Sequence, residues 1–151
     1  MDLQAALPLL LPKAIAWAEE QAEQAAAAGR RLAAREQEIA RSVGVAQPER
    51  VRVLLVDACP LPVEPTLRAA ALQAGLLGPE MTGLTLGHSV FICRGHDTAR
   101  LLSHELRHVY QYEQAGSIAS FLPGYLQEAV QHGYANTSFE RDARAHERTD
   151  V

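Results

Sequence analysis

The spacing of apolar and polar residues along this chain predicts helices at both ends and short strands between them. Residues 13 to 43 carry a broken apolar stripe among Ala, Glu, Gln and Arg, which are good helix formers, and so predict one long helix. Gly29 weakens the middle of that helix and predicts a bend there. Residues 51 to 57 form a short β-branched run, which is typical of a buried strand.

In the second half of the chain, apolar and polar residues alternate less regularly. Residues 82 to 93 predict a hairpin or bent strand with Gly87 at its turn, and a short helix is expected before it, over 66 to 77. Asp97 is a plausible N-cap for a helix over 98 to 115. Further helical segments are expected over 117 to 122, over 125 to 132 after an interruption at Pro123-Gly124, and over about 139 to 147. This order of elements predicts an α+β fold.

Length and composition fit one globular domain. The chain has 151 residues, of which 48% are hydrophobic and 21% charged, which is typical of a folded protein with its own core. No internal repeat, low-complexity tract or linker divides it. We therefore expect a single domain over 1 to 151, in which a helical segment over 1 to 44 packs on or covers a core over 51 to 147.

Charge and hydropathy exclude some partners. The net charge of −4 argues against nonspecific binding of nucleic acid, which needs a basic surface. No run approaches the 18 or more apolar residues of a membrane span. The stretch from Met1 to Leu11 lacks a basic region and is interrupted by proline, so we predict no signal peptide. The cytoplasm is the default location, with export by another route left open.

The predicted helix over 98 to 115 contains the motif HExxH, as His104-Glu105-Leu106-Arg107-His108. Residues four apart lie one turn apart on the same helix face, so two imidazoles can reach one metal ion. Neutral imidazole is a good zinc ligand, and Glu105 stands beside the first histidine, where it can act as a general base. The motif therefore predicts one zinc ion per chain, held by His104 and His108.

A tetrahedral catalytic zinc site needs a third protein ligand and one open position. Gln114 stands where an extended HExxHxxGxxH motif would place a third histidine, so that form is excluded. Glu128 and Glu140, on later predicted helices, are the two main candidates for the third ligand. The weaker options are Asp142, Glu147 and His132. Asp142 could instead orient an imidazole through its N–H, but a solvated aspartate is the stronger expectation.

Several segments from about Val51 to His146 resemble a family of small bacterial HExxH domains of largely unassigned function, allied to gluzincins such as thermolysin. The matching pieces are VRVLLVD with its proline-rich continuation, GLTLG, LLSHELRHVYQYE and YANTSFERDA. The resemblance implies a zincin-like fold, and it implies that Glu140 is the third zinc ligand. The chain departs from the family pattern at Thr137-Ser138 and at Asp142, and neither change removes that ligand.

The motif and the resemblance together predict a zinc-dependent metallopeptidase acting on a peptide or protein. Glu105 would take a proton from the attacking water and pass it to the leaving amine. Tyr125 or Tyr134 would stabilise the developing oxyanion, since both lie between the motif and Glu140 in the chain. A strand from Leu84 to Ile92 could bind an extended substrate by β-addition.

Three other interpretations stay open from the sequence. Cys93 and His96 precede His104 and His108 and could complete a closed structural zinc site with them. The domain could also bind zinc as an accessory or scaffold unit with little turnover. The N-terminal helix could lie across the cleft as a lid. The oligomeric state and the cleavage preference do not follow from the sequence.

Overall fold

The structure, a computed structural model, describes residues 1–149, so the last two residues of the predicted domain lie outside the described range. Its α-helices and strands, in chain order, are α1 (Leu3–Ala28), β1 (Arg30–Arg31), α2 (Ala34–Ser42), β2 (Arg52–Val56), α3 (Pro65–Gln73), β3 (Gly83–Leu86), β4 (Ser89–Cys93), α4 (Ala99–Ala115), α5 (Ile118–His132) and α6 (Ser138–Ala145). Short 3₁₀ turns occur at Pro48–Arg50 and Tyr134–Asn136. The predicted α+β class is confirmed.

The four strands form one mixed sheet in the order β1-β2-β4-β3. β2 and β4 are parallel, and the two outer pairs are antiparallel. The hairpin of β3 and β4 turns at Gly87, whose φ of +67° favours glycine, as the sequence predicts. Within residues 1–149, β3 is an edge strand while β4 pairs on both sides. Of the strand predicted to bind a peptide over 84 to 92, only the β3 part has an unpaired edge, and Thr85 and Leu86 of that part are buried.

Helices cover both faces of the sheet. Val90 and Ile92 of β4 pack with α2 and α4 on one face. Phe91, between them in sequence, faces the other way and packs with α1 and α5. All five residues of β4 are buried, as expected of a central strand with apolar layers on both faces. The N-terminal segment over 1 to 44 thus contributes a helix to each face of the core.

The predicted helix over 13 to 43 is two helices, and that prediction was wrong in its extent. A Cβ atom at Gly29 would lie 2.7 Å from the carbonyl oxygen of Ala25 and 3.0 Å from that of Val53. The backbone therefore passes close to β2 at this point, and Arg30–Arg31 pairs with that strand instead of continuing the helix. Gly29 marks a break in the helix, a stronger effect than the predicted bend.

The first helix also begins earlier than predicted, at Leu3, and runs through Pro8 and Pro12. Leu10 lies between the two prolines and packs with Leu67 and Ala70 of α3, and this burial offsets the backbone hydrogen bonds that the prolines cannot donate. None of the helices within residues 1–149, the 26-residue α1 included, is long and apolar enough to cross a lipid bilayer.

Two further predictions about helix ends were wrong. Thr98, not Asp97, caps α4, because its side chain accepts a hydrogen bond from the backbone N–H of Leu101. The segments predicted on either side of Pro123-Gly124 form the single helix α5. Phe121 and Leu122, which come just before Pro123, are buried in the core, and this burial stabilises the helix through the proline.

Candidate metal centre

The helix α4 brings both motif histidines to one side of the molecule. Leu106 and Val109 are fully buried in the core, which fixes the rotation of the helix about its axis. His104 and His108 then share the adjacent face, with ring centroids 5.0 Å apart. His108 is only 7% exposed. Their spacing of one helical turn is the geometry that the sequence predicts.

The helix α6 brings Glu140 to these histidines. Thr137 caps α6 and accepts a hydrogen bond from the backbone N–H of Glu140 at 3.0 Å. The Glu140 carboxylate is 3% exposed, with Oε1 3.1 Å from Nε2 of His104 and Oε2 3.0 Å from Nε2 of His108. Ligand atoms of the three residues lie within 4.8 Å of one another, so this buried group could bind a metal ion.

Each imidazole also forms a hydrogen bond through Nδ1, with a polar group other than Glu140. The Glu147 carboxylate lies 2.8 Å from Nδ1 of His104, and the amide oxygen of Gln111 lies 2.7 Å from Nδ1 of His108. Both partners accept, so each Nδ1 carries a proton, and Nε2, which without metal donates to Glu140, is the nitrogen of each ring that could bind a metal. Such partners orient ligating histidines and raise their basicity.

Gln111 is itself fixed by α6. Its amide nitrogen donates to the backbone oxygen of Phe139 and to Oδ2 of Asp142, both at 2.9 Å. Those two acceptors set the amide orientation and leave its oxygen facing His108. Asp142, which also pairs with Arg107, thus contacts neither motif histidine directly and acts on His108 only through Gln111.

Glu105 lies beside the three candidate ligands and is 5% exposed. The hydroxyl of Thr85, on β3, lies 2.8 Å from Oε1 of Glu105. A Cβ atom at Gly83 would lie 2.9 Å from Oε2 of Glu105, so the backbone of β3 passes directly against the carboxylate. The edge strand and the second motif residue are therefore in direct contact.

Burial has opposite net effects on the two acidic groups. For Glu140, burial opposes ionisation, but hydrogen bonds from His104 and His108 outweigh it and hold the pKa of this carboxyl well below its usual range. For Glu105, burial is the largest influence and raises the pKa, since the nearby histidines offset it only in part. Glu140 is thus kept ionised as a metal ligand must be, while Glu105 holds a proton more readily.

The two predicted stabilising tyrosines lie at the site. The hydroxyl of Tyr125, on α5, donates to Oε2 of Glu140 at 3.0 Å. Tyr134 lines the cleft in front of the site together with His104 and Glu105. Burial, and then the charge of Glu140, raise the pKa of both hydroxyls, so both remain protonated donors at neutral pH.

Glu128 and Cys93 lie elsewhere, while Glu147, a weaker option, contacts His104 at Nδ1 and not at the Nε2 that faces Glu140. The Glu128 carboxylate accepts hydrogen bonds from the backbone N–H and the hydroxyl of Ser138, at 2.7 and 2.8 Å, so it stabilises the first turn of α6. The sulfur of Cys93 lies 3.9 Å from that of Cys59, and His96 is exposed. Among residues 1–149, the ligand atoms that converge belong to His104, His108 and Glu140, and the four-ligand set with Cys93 does not assemble.

Sequence reasoning missed three residues that shape the site. Gln111 could have been found, because it lies three positions after His108 on the same helix face. Thr85 and Gly83 carried no such signal, since their contact with Glu105 depends on how β3 packs against α4. Together the three hold one imidazole and the buried carboxylate in place.

Comparison with known proteins adds nothing to this geometry. No protein-family model, no curated protein and no solved structure matches this chain. The function must therefore be argued from the chemistry of the site, which is the stronger basis even where a fold is shared.

The buried His108–Glu140 pair predicts how stability depends on pH when metal is removed. Burial opposes the charged imidazole, but the hydrogen bond with Glu140 outweighs it and raises the pKa of His108 to about 9. Because this exceeds the unfolded value of about 6.5, the stabilisation is complete below that pH and is lost as pH rises through 9. In chelator, we expect the free energy of unfolding in urea to fall by roughly 3 kcal/mol between pH 6.5 and 9.

The control for this prediction is the same urea titration with zinc added. A metal ion takes the place of the proton on the imidazole, so the zinc-loaded protein should show no such fall. Equal stability at both pH values in chelator would contradict the His108–Glu140 pairing.

Proposed function

We propose that this chain is a zincin-like, zinc-dependent peptide hydrolase. One observation carries the proposal, namely that His104, His108 and Glu140 converge next to a buried Glu105 that contacts an edge strand. A purely structural metal site has no use for a second acidic group held beside its ligands. The arrangement instead provides a metal-binding site, a general base and a strand against which a substrate peptide could lie.

The donor set suits zinc. Two imidazole nitrogens and one carboxylate are the protein ligands of hydrolytic zinc sites, which keep a fourth position for water or substrate. Both histidines present Nε2 and are oriented through Nδ1, and Glu140 is held ionised. Zinc bound here would supply the Lewis acidity that activates water near neutral pH.

Glu105 is the general base in this proposal. Its carboxylate takes a proton from the attacking water and later gives it to the leaving amine. The pKa raised by burial favours this role, because a base works best when its pKa lies near the working pH. The hydroxyl of Thr85 holds Oε1 of Glu105 and so fixes the direction from which the carboxylate reaches the water.

The two tyrosines take different roles. The Tyr125 hydroxyl is already committed to Glu140, so it positions a ligand. Tyr134 also interacts with Glu140, but unlike Tyr125 it borders the open cleft beside Glu105, and we assign it the role of the donor that faces the developing oxyanion. This choice narrows the two candidates that the sequence offered.

The edge strand β3 gives the substrate a place to bind. The backbone N–H of Cys93 bonds the carbonyl of Thr82 at 2.8 Å, and alternation along the antiparallel pair then directs the backbone groups of Gly83 and Thr85 away from β4. Gly83 and Thr85 are buried, so a peptide that pairs with these groups and runs past Glu105 would first have to open this edge. β-Addition of this kind provides main-chain affinity with little dependence on sequence.

A peptide library tests the proposal. Zinc-loaded protein should cleave a defined set of peptides, detected by mass spectrometry, and treatment with a chelator should abolish the cleavage. Reloading with zinc should restore it, which separates metal removal from damage.

The alternative accessory role predicts a different result. A chain that binds one zinc ion but cleaves no peptide in the library would be a zinc-binding scaffold, and the hydrolase proposal would be wrong.

A further inference from the structure

The two cysteines of the chain lie side by side at one end of the sheet, although they are 34 positions apart in sequence. Val56, at the end of β2, pairs with Cys93, at the end of the parallel strand β4. The loop that follows β2 carries Cys59 to the same end, where its sulfur lies 3.9 Å from that of Cys93. Both thiols are free in this structure. The fold therefore pairs two reactive groups that the sequence keeps far apart.

The two sulfurs are close enough for a bond to form after a small movement. A disulfide has an S–S length of about 2.0 Å, so the sulfurs must come closer by about 2 Å. Cys59 lies in a loop without regular structure, which can follow such a movement more easily than β4 can. In the reduced chain, the Cys93 thiol donates to the carbonyl oxygen of Met81 at 3.4 Å. A thiol is a weak donor, so closing the bond gives up little hydrogen bonding.

We propose that Cys59 and Cys93 are a modification site, at which exchange with a low-molecular-weight disulfide such as glutathione disulfide forms one intramolecular disulfide bond that stabilises the folded chain. Two observations carry this assignment, the contact between the sulfurs and the partial exposure of one of them. The assignment needs neither a metal ion nor peptide hydrolysis, so it stands apart from the function proposed above.

The unequal burial of the two thiols sets the order of the reaction. Cys59 is partly exposed and Cys93 is only 8% exposed, so Cys59 meets the reagent first. Its thiolate attacks one sulfur of the reagent, the S–S bond of the reagent breaks, and one thiol leaves. The Cys93 thiolate then attacks the Cys59 sulfur and displaces the second thiol. Two protons and two electrons pass in total from the protein to the reagent, which ends as two thiols.

Burial makes this exchange slow near neutral pH. Burial is the largest influence on the Cys59 thiol and, together with the neighbouring Cys93, raises its pKa to about 12. The charge of Glu105, on α4, acts in the same direction. Because the thiolate is the attacking form, its small fraction limits the rate, and a higher pH increases it. The pair therefore suits a lasting crosslink more than a rapid redox sensor.

The bond would close a loop that contains α3 and β3. Both elements lie between the two cysteines in the chain, and β3 contacts Glu105 beside the metal centre. A crosslink between positions 34 apart removes extended conformations from the unfolded chain, while the folded chain already holds the sulfurs together. We expect the melting temperature to rise on the order of 10 °C in a domain of this size.

Two serine variants separate the roles of the thiols. Cys93→Ser keeps the accessible thiol, so the same treatment should stop at a glutathione adduct on Cys59. Cys59→Ser keeps only the buried thiol, which should take up little glutathione in the folded chain. Melting temperatures of the reduced variants establish that they are folded, and Cys93→Ala replaces Cys93→Ser if the buried hydroxyl prevents folding.

The experiment treats the reduced full chain with glutathione disulfide at mildly alkaline pH and then blocks the remaining thiols with N-ethylmaleimide. Mass spectrometry of the intact protein and of its peptides gives the result. Wild type should lose the mass of two hydrogen atoms, take up no maleimide and yield a peptide pair that joins Cys59 to Cys93. Its melting temperature should rise on the order of 10 °C, while that of Cys59→Ser should stay unchanged.

Three outcomes in wild type would overturn the modification site. They are two free thiols after prolonged treatment, a stable glutathione adduct on Cys59, and a disulfide that joins two chains. A bond between Cys59 and Cys93 that leaves the melting temperature unchanged, or lowers it, would overturn the stabilising role.

Discussion

Replacing Glu140 with alanine is expected to reduce zinc from about one ion per chain to a small fraction of that after dialysis. Glu140 contacts both motif histidines, and loss of a direct ligand should weaken zinc binding by more than the 10- to 100-fold typical of losing an outer partner. Elemental mass spectrometry of dialysed wild type and variant measures this directly. Glu140→Gln, which keeps the size of the side chain, should show the same loss.

Glu128→Ala is the matched control for Glu140→Ala. Glu128 stabilises the first turn of α6 and lies outside the metal group, so its removal should cost about 1 kcal/mol of stability and leave zinc bound. Loss of zinc in Glu128→Ala with retention in both Glu140 variants would reverse the assignment of the third ligand. No zinc in wild type after reloading would remove the metal centre altogether.

Replacing Glu105 with glutamine is expected to leave zinc in place and to lower kcat on the order of 10²- to 10⁴-fold. Glutamine has the same shape and can still accept the hydrogen bond from Thr85, but it cannot take a proton from water. Initial rates on a peptide found in the library assay, together with zinc content, separate the loss of the base from the loss of the metal.

Glu38→Gln makes the same chemical change on the exposed side of α2 and should behave as wild type. A Glu105→Gln variant that cleaves as fast as wild type would exclude Glu105 as the base. The reaction would then need a different proton acceptor at the site.

The parts of the site that the sequence revealed are those within one helix. His104, Glu105 and His108 follow from a local spacing, and α4 holds them as that spacing requires. The prediction of Glu140 as the third ligand rests on a family resemblance, and no family model matches the chain. The structure independently places Glu140 beside the two histidines. The α+β class and the turn at Gly87 also followed from local patterns.

The features that the sequence did not reveal depend on tertiary packing. Gly29 ends α1 because the backbone passes β2 there, and β2 lies more than 20 residues away in the chain. Pro123 lies inside α5 because Phe121 and Leu122 before it are buried. Helix propensities describe single residues and carry no information about this burial. Thr85 and Gly83 meet Glu105 only after β3 has paired with β4.

Gly83 and Glu105 are, for this reason, not independent positions in the energetics of the chain. A methyl group at 83 would collide with the Glu105 carboxylate, so its cost depends on which side chain stands at 105. A shorter side chain at 105 would remove the three atoms that lie nearest to that methyl group. The two positions thus form one epistatic unit, in which a side chain at 83 avoids this collision only after the side chain at 105 has become shorter.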